Sequence, residues 1–123
     1  MRFCKFVILS LLFLSTNSFA EAQITGIWKH TQKPAWLEIK FESGIGSLAV
    51  KRHEDNLKAE GFNVIKEIKP DTNRSAQWDG QMYSAAENGY VDVTLVLINL
   101  TTIAVFESSD VKKSNEILRI TRE

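Results

Sequence analysis

Few side chains in this chain of 123 residues are placed to do chemistry. His53, Glu54 and Asp55 are consecutive, and His30 is the other imidazole. Adjacent residues on a strand or loop point in different directions, whereas a zinc site gathers three or four His, Cys or carboxylate ligands in tetrahedral geometry. A solvated, charged loop is therefore the better reading of residues 53–55. There is no His-Glu-x-x-His, no Gly-x-Ser-x-Gly and no glycine-rich phosphate loop. The single cysteine, Cys4, lies at the very start. We expect a protein that is not an enzyme and uses neither a metal nor another cofactor.

The aromatic residues carry more information. Trp28, Trp36, Trp78, Tyr83 and Tyr90 are many large rings for a domain of this size. Core filling accounts for most such rings, because they bury large area and suit a pleated surface. A sharper reading sets Trp78, Met82 and Tyr83, with Tyr90 beside them, at the wall or mouth of a small apolar pocket. Trp36 alternates onto the polar face of its strand, where it could meet a partner.

The elements that would hold these rings are strands. Residues 77–98 are the densest part of the pattern. Val91, Val93, Leu95 and Leu97 share one face, with Asp92 and Thr94 on the other, which is the period-two alternation of a half-buried strand. Before it, Trp78, Gly80 and Met82 share a face opposite Gln77, Asp79, Gln81 and Tyr83. Gly80 suggests a bulge or bend, and Glu87-Asn88-Gly89 supplies the turn of a hairpin.

Further strands are predicted over 24–29, where Ile24, Gly26 and Trp28 share a face, and over 36–42, with Leu37, Ile39 and Phe41 inward. Others are 45–52 with Leu48 and Val50, 62–69, 103–106, and 116–122 with Leu118, Ile120 and Arg122 on one face. Residues 53–61 read as a connection with room for a helical turn. Eight short strands with turn signals between them predict an all-β protein, a small antiparallel up-and-down barrel. A β-sandwich or an oligonucleotide-binding-type barrel is the alternative.

Residues 1–20 read as a secretory leader. Arg2 and Lys5 precede an apolar run at 6–14, and Ser18-Phe19-Ala20 fits a cleavage site. Its apolar part is too short for a convincing membrane span. Residues 21–123 would then form one domain, free of cysteine, exported to a bacterial periplasm or secreted, monomeric, and not integral to the membrane. Without disulfides, a domain this small must close its sheet and fill its interior. In that compartment Asn73-Arg74-Ser75 and Asn99-Leu100-Thr101 are chance sequons. Removing Arg2 and Lys5 leaves thirteen bases against fifteen acids, a net charge of −2 with both signs scattered. Nucleic-acid binding, which needs a basic stripe, is set aside.

Two resemblances join this reading. Gly26-x-Trp28 in the first strand with an arginine in the last is similar to the pattern of lipocalins and other calycins. There the tryptophan closes one barrel end and the arginine packs across it. Arg122 has the matching parity here, and Arg119, on the opposite face, is the competing candidate. Nearly the whole of residues 21–123 also resembles the bacterial secreted family called domain of unknown function 2147. The matching residues are Gly26 and Trp28, then Trp78, Gly80, Met82 and Tyr83, then Gly89 and Tyr90, then Arg122. The paired cysteines many relatives carry are absent, and Ser84-Ala85 stands where they have Asp-Pro. The resemblance implies shape and export; the family has no agreed activity.

Three functions fit these expectations. The first is a non-catalytic binding barrel for a small apolar ligand such as a lipid fragment, needing a cavity of roughly a few hundred Å³. The second is a filled-core protein that engages an envelope component through an exposed aromatic surface or a sheet edge. The third, an envelope hydrolase, would need His30 or His53 in a cleft beside a nucleophile or carboxylate.

Overall fold

Eight strands follow one another in the computed structural model, which describes residues 19–123. They are β1 (Gly26–His30), β2 (Ala35–Glu42), β3 (Ile45–His53), β4 (Asn63–Pro70), β5 (Gln77–Ser84), β6 (Gly89–Asn99), β7 (Thr102–Glu107) and β8 (Glu116–Arg122). A single 3-10 turn, Leu57–Ala59, sits in the predicted connection before β4. Each strand pairs antiparallel with the next, and β8 returns to pair with β1. Closure sets Trp28 opposite Arg122 and His30 opposite Ile120, and a closed sheet has no free edge. The expected up-and-down, calycin-like barrel is the fold. A sandwich would have split these strands into two sheets.

Alternation decides what fills it. Leu37, Ile39, Leu48, Val50, Val93, Leu95, Leu118 and Ile120 all point inward, and none is more than 7% exposed. Trp28 and Trp78 are the largest fully buried side chains. Burying a ring of that size is worth about 4–6 kcal/mol of transfer free energy, which is how a small disulfide-free barrel offsets its chain entropy.

The bend anticipated at Gly80 lies across the ladder from it. Lys66 faces Gln81 and Lys69 faces Asp79, so Glu67 and Ile68 together oppose Gly80. Glu67 takes up the bulge at a φ of 55°, while Gly80 keeps unbroken register with β6. A Cβ on Gly80 would come within 2.9 Å of Ile65 Cγ2 and 3.3 Å of the Lys66 carbonyl oxygen. Gly80 is the room that the bulge in β4 needs.

The first strand starts later than its alternation predicts. Residues 19–24 are helical, and Thr25 donates its backbone N–H to the Glu21 carbonyl at 3.0 Å. Gly26, at a φ of 128°, then turns the chain into β1 through a conformation that L side chains rarely adopt. Ile24 reaches the core from this helical segment and is fully buried. Of the predicted leader, residues 1–18 lie outside the described residues.

The barrel has two ends. The lower end carries residues 19–25, the turn at 43–44, the loop at 71–76 and the turn at 100–101. The upper end carries the connections at 31–34, 54–62, 85–88 and 108–115.

Candidate functional site

At the lower end Trp28 and Arg122 interlock. The Arg122 guanidinium carbon sits 4.3 Å from the centre of the Trp28 ring system. Its Nη1 donates to the Thr25 carbonyl at 3.1 Å and its Nη2 to the Gln23 carbonyl. The Trp28 indole N–H donates to the Ile24 carbonyl at 2.9 Å. A Cβ on Gly26 would stand 3.3 Å from Arg122 Nη1, so the glycine also gives the guanidinium its space. Arg119 faces outward and forms a two-pronged pair with Glu116 at 2.7 and 2.8 Å. Between the two candidates, Arg122 is the residue on the tryptophan.

The four residues read as one ligand wall do not share a face. Trp78 is interior at the lower end, 1% exposed, and Met82 packs against the core further up β5. Tyr83 and Tyr90 are paired across β5 and β6 on the outside of the barrel, 37% and 38% exposed. This corrects the pocket expected from Trp78, Met82, Tyr83 and Tyr90. The alternation of β5 had already put Tyr83 with Gln77, Asp79 and Gln81. Outside, Phe62, Tyr83 and Tyr90 form an edge-to-face ladder with ring centres 5.4 and 5.7 Å apart. The Lys66 ammonium lies 4.1 Å over the Tyr90 ring, and the Tyr90 hydroxyl donates to the Asn63 carbonyl at 3.2 Å.

Trp78 instead borders a cavity of about 460 Å³ at the lower mouth, between the 19–25 segment and the 71–76 loop. Gln23, Pro70, Asp71, Arg74 and Gln77 line it with Trp78, and Phe19 and Ala20 form part of its rim. Two of these residues hold buried polar atoms that find no partner among the described residues, Nε1 of Trp78 and Oε1 of Gln77. Such atoms are few in folded proteins, and each costs its full desolvation penalty until something pairs with it. Gln23 connects this cavity to the closure, since its carbonyl holds Arg122. Close by, on the outer side of β5, burial and then the Asp71 carboxylate push the Asp79 carboxyl above its usual range, and Arg74 opposes them. Among the described cavities this is the one bordered by an interior-facing aromatic.

Trp36 is less free than its strand position suggests. Arg52 stacks 3.9 Å from its ring centre, Lys29 approaches to 5.2 Å, and its indole N–H donates to Glu123 Oε1 at 3.1 Å. An open depression of about 360 Å³ beside it is bordered by Ile27, Lys51 and Glu60. His30 and His53 each use Nδ1 to accept a backbone N–H, from Gln32 at 3.0 Å and Asp55 at 3.2 Å. Those contacts are local turns, and no metal-holding group of His, Cys, Asp and Glu occurs among the described residues. Burial, then the charges of Lys33, Lys29 and His53, lower the His30 pKa.

The fold is a small calycin-like barrel with a packed interior and a cavity at its lower mouth. No family model, no curated protein and no solved structure matches the chain. No helix among the described residues is long and apolar enough to cross a membrane.

Proposed function

We propose that this protein is an exported, non-catalytic binding barrel that holds a small molecule at its lower mouth and not inside the barrel. The observation that carries the reading is a cavity of about 460 Å³ walled by Trp78 and Gln23, with Asp71 and Arg74 at its rim. That volume is in the range of small-molecule sites. The interior holds buried apolar side chains, with Trp28 and Trp78 among the largest, which argues against an apolar ligand along the barrel axis. The leader pattern in residues 1–20 and the resemblance to the secreted family support a periplasmic or secreted location. Cleavage after Ala20 would take Phe19 and Ala20 off the rim and widen the mouth.

Native mass spectrometry of the protein from a periplasmic extract, beside the same protein refolded from denaturant, tests this. The expected result is a discrete extra mass that refolding removes. An unliganded species in both samples would favour the second reading, a filled-core protein that engages an envelope component. Its support is the Phe62–Tyr83–Tyr90 ladder, since exposed tyrosines and aromatic clusters are enriched in protein interfaces. Closure of the sheet removes edge pairing as a route for that partner.

A further inference from the structure

We infer that the outer face of β4, β5 and β6, near the upper end, binds a neutral, β-linked oligosaccharide on Phe62, Tyr83 and Tyr90. This surface is separate from the lower mouth and does not depend on the reading of that mouth. Tyr83 and Tyr90 are register partners across β5 and β6, and Phe62 meets them from the 54–62 connection. The three are 44%, 37% and 38% exposed in chain order, so each ring presents part of itself to solvent. Tyr90 is tethered twice, by its hydroxyl to the Asn63 carbonyl and by the Lys66 ammonium over its ring. Tyr83 is braced edge to face by Phe62 on one side and Tyr90 on the other. Rings already fixed lose little freedom when a ligand stacks on them.

The surroundings of the rings choose the ligand. Residues two apart on a strand share a face, so Gln81 stands beside Tyr83 and Asp92 beside Tyr90. Gln81 and Asp92 are themselves register partners, and Lys66 is the partner of Gln81 on β4. A polar row therefore runs about 7 Å along the strands from the two tyrosines. Lys66 and Asp92 enter no ion pair among the described residues. A β-linked pyranose has a face of axial C–H groups that packs on an aromatic ring, and equatorial hydroxyls at its edge. Those hydroxyls both donate and accept, which suits an ammonium that only donates and a carboxylate that only accepts. One cation and one anion leave no net charge to draw an acidic sugar. A flat protein partner would have to desolvate both charges. The rings also expose only on the order of 250 Å² together, against the roughly 800 Å² that a stable protein interface covers on each side.

The test is a titration of the protein with chitotriose and, separately, cellotriose, followed in ¹⁵N–¹H correlation spectra. Concentrations up to about 10 mM suffice to read a Kd near 1 mM. With at least one of the two sugars, the backbone signals of Gln81, Tyr83, Tyr90 and Asp92 should move and saturate. Those of Arg74 and Ala76 at the lower mouth should stay. Tyr83→Ala, a surface change, should weaken binding about tenfold, and Asp92→Ala, which leaves the rings alone, about fivefold. If Tyr83→Ala does not fold, Phe62→Ala, outside the strands, is read in its place. No movement with either sugar overturns the inference, and so does undiminished binding by the ring variant. Movement confined to Arg74 and Ala76 also overturns it and leaves the mouth as the site. If neither sugar acts and the ring variant dissociates a dimer in sedimentation, the ladder is a protein interface and the inference falls.

Discussion

Arg122 lies over the ring of Trp28, directly across the β1–β8 seam that closes the barrel. The contact joins the last strand to the first and, through the Gln23 and Thr25 carbonyls, to the segment that walls the lower mouth. Trp28→Ala should destabilise the protein by about 3–5 kcal/mol, the cost of emptying a large core site. Arg122→Ala should cost about 2–3 kcal/mol, from a desolvated cation–π contact and two hydrogen bonds. Urea unfolding measures both, and a loss below about 1 kcal/mol for Trp28→Ala would remove the tryptophan from the closure.

Gly80→Ala tests the bulge. Its new methyl would meet Ile65 Cγ2 at 2.9 Å and the backbone oxygen of Lys66 at 3.3 Å, so a loss of about 1–3 kcal/mol is expected from overpacking. Gly44→Ala is the control, since a Cβ there meets nothing within 4 Å and only the φ of 82° resists it. The control should cost about 1 kcal/mol. Equal midpoints for the two variants in thermal unfolding would show that β4 can yield.

Gln77→Leu separates stability from binding. Replacing a buried oxygen that has no described partner by an apolar group should leave the unliganded protein as stable or more stable by about 1 kcal/mol. The same change should leave any ligand held at the mouth in place, since the oxygen is shut off from the surface. A variant that is destabilised while keeping full ligand occupancy in native mass spectra would show that the oxygen has a structural partner.

His30 gives the barrel a pH dependence of known sign. Burial, then Lys33, Lys29 and His53, lower its pKa in the folded state, so the unfolded chain binds the proton more readily. Its contribution is present above the unfolded value of about 6.5 and is lost as pH falls through the lower folded value. Stability measured from pH 7.5 down to pH 5 should therefore decline more in the native protein than in His30→Gln. Parallel curves for the two proteins would refute this.

Much of this fold was legible because alternation is local. A residue's face in β2, β6 or β8 follows from its neighbours two positions away, so Leu37, Ile39, Val93, Leu95, Leu118 and Ile120 could be read as inward, and eight strands counted, without any contact being known. Tyr83 was legible too, since its parity put it with Gln77, Asp79 and Gln81 on the polar face. Its aromatic character argued for a pocket, and the alternation of the strand decided against it.

The remaining features depend on distant parts of the chain. That Arg122 rather than Arg119 covers Trp28 follows from the β1–β8 register, a pairing between the two ends of the domain. The bulge opposite Gly80 belongs to β4, and the burial of Ile24 comes from a helical segment whose alternation mimicked a strand. The lower mouth was the least legible of all. Whether an indole N–H is paired depends on which groups the 19–25 segment and the 71–76 loop bring beside it, and hydrogen-bond satisfaction is a property of the assembled barrel, written in no single stretch of sequence.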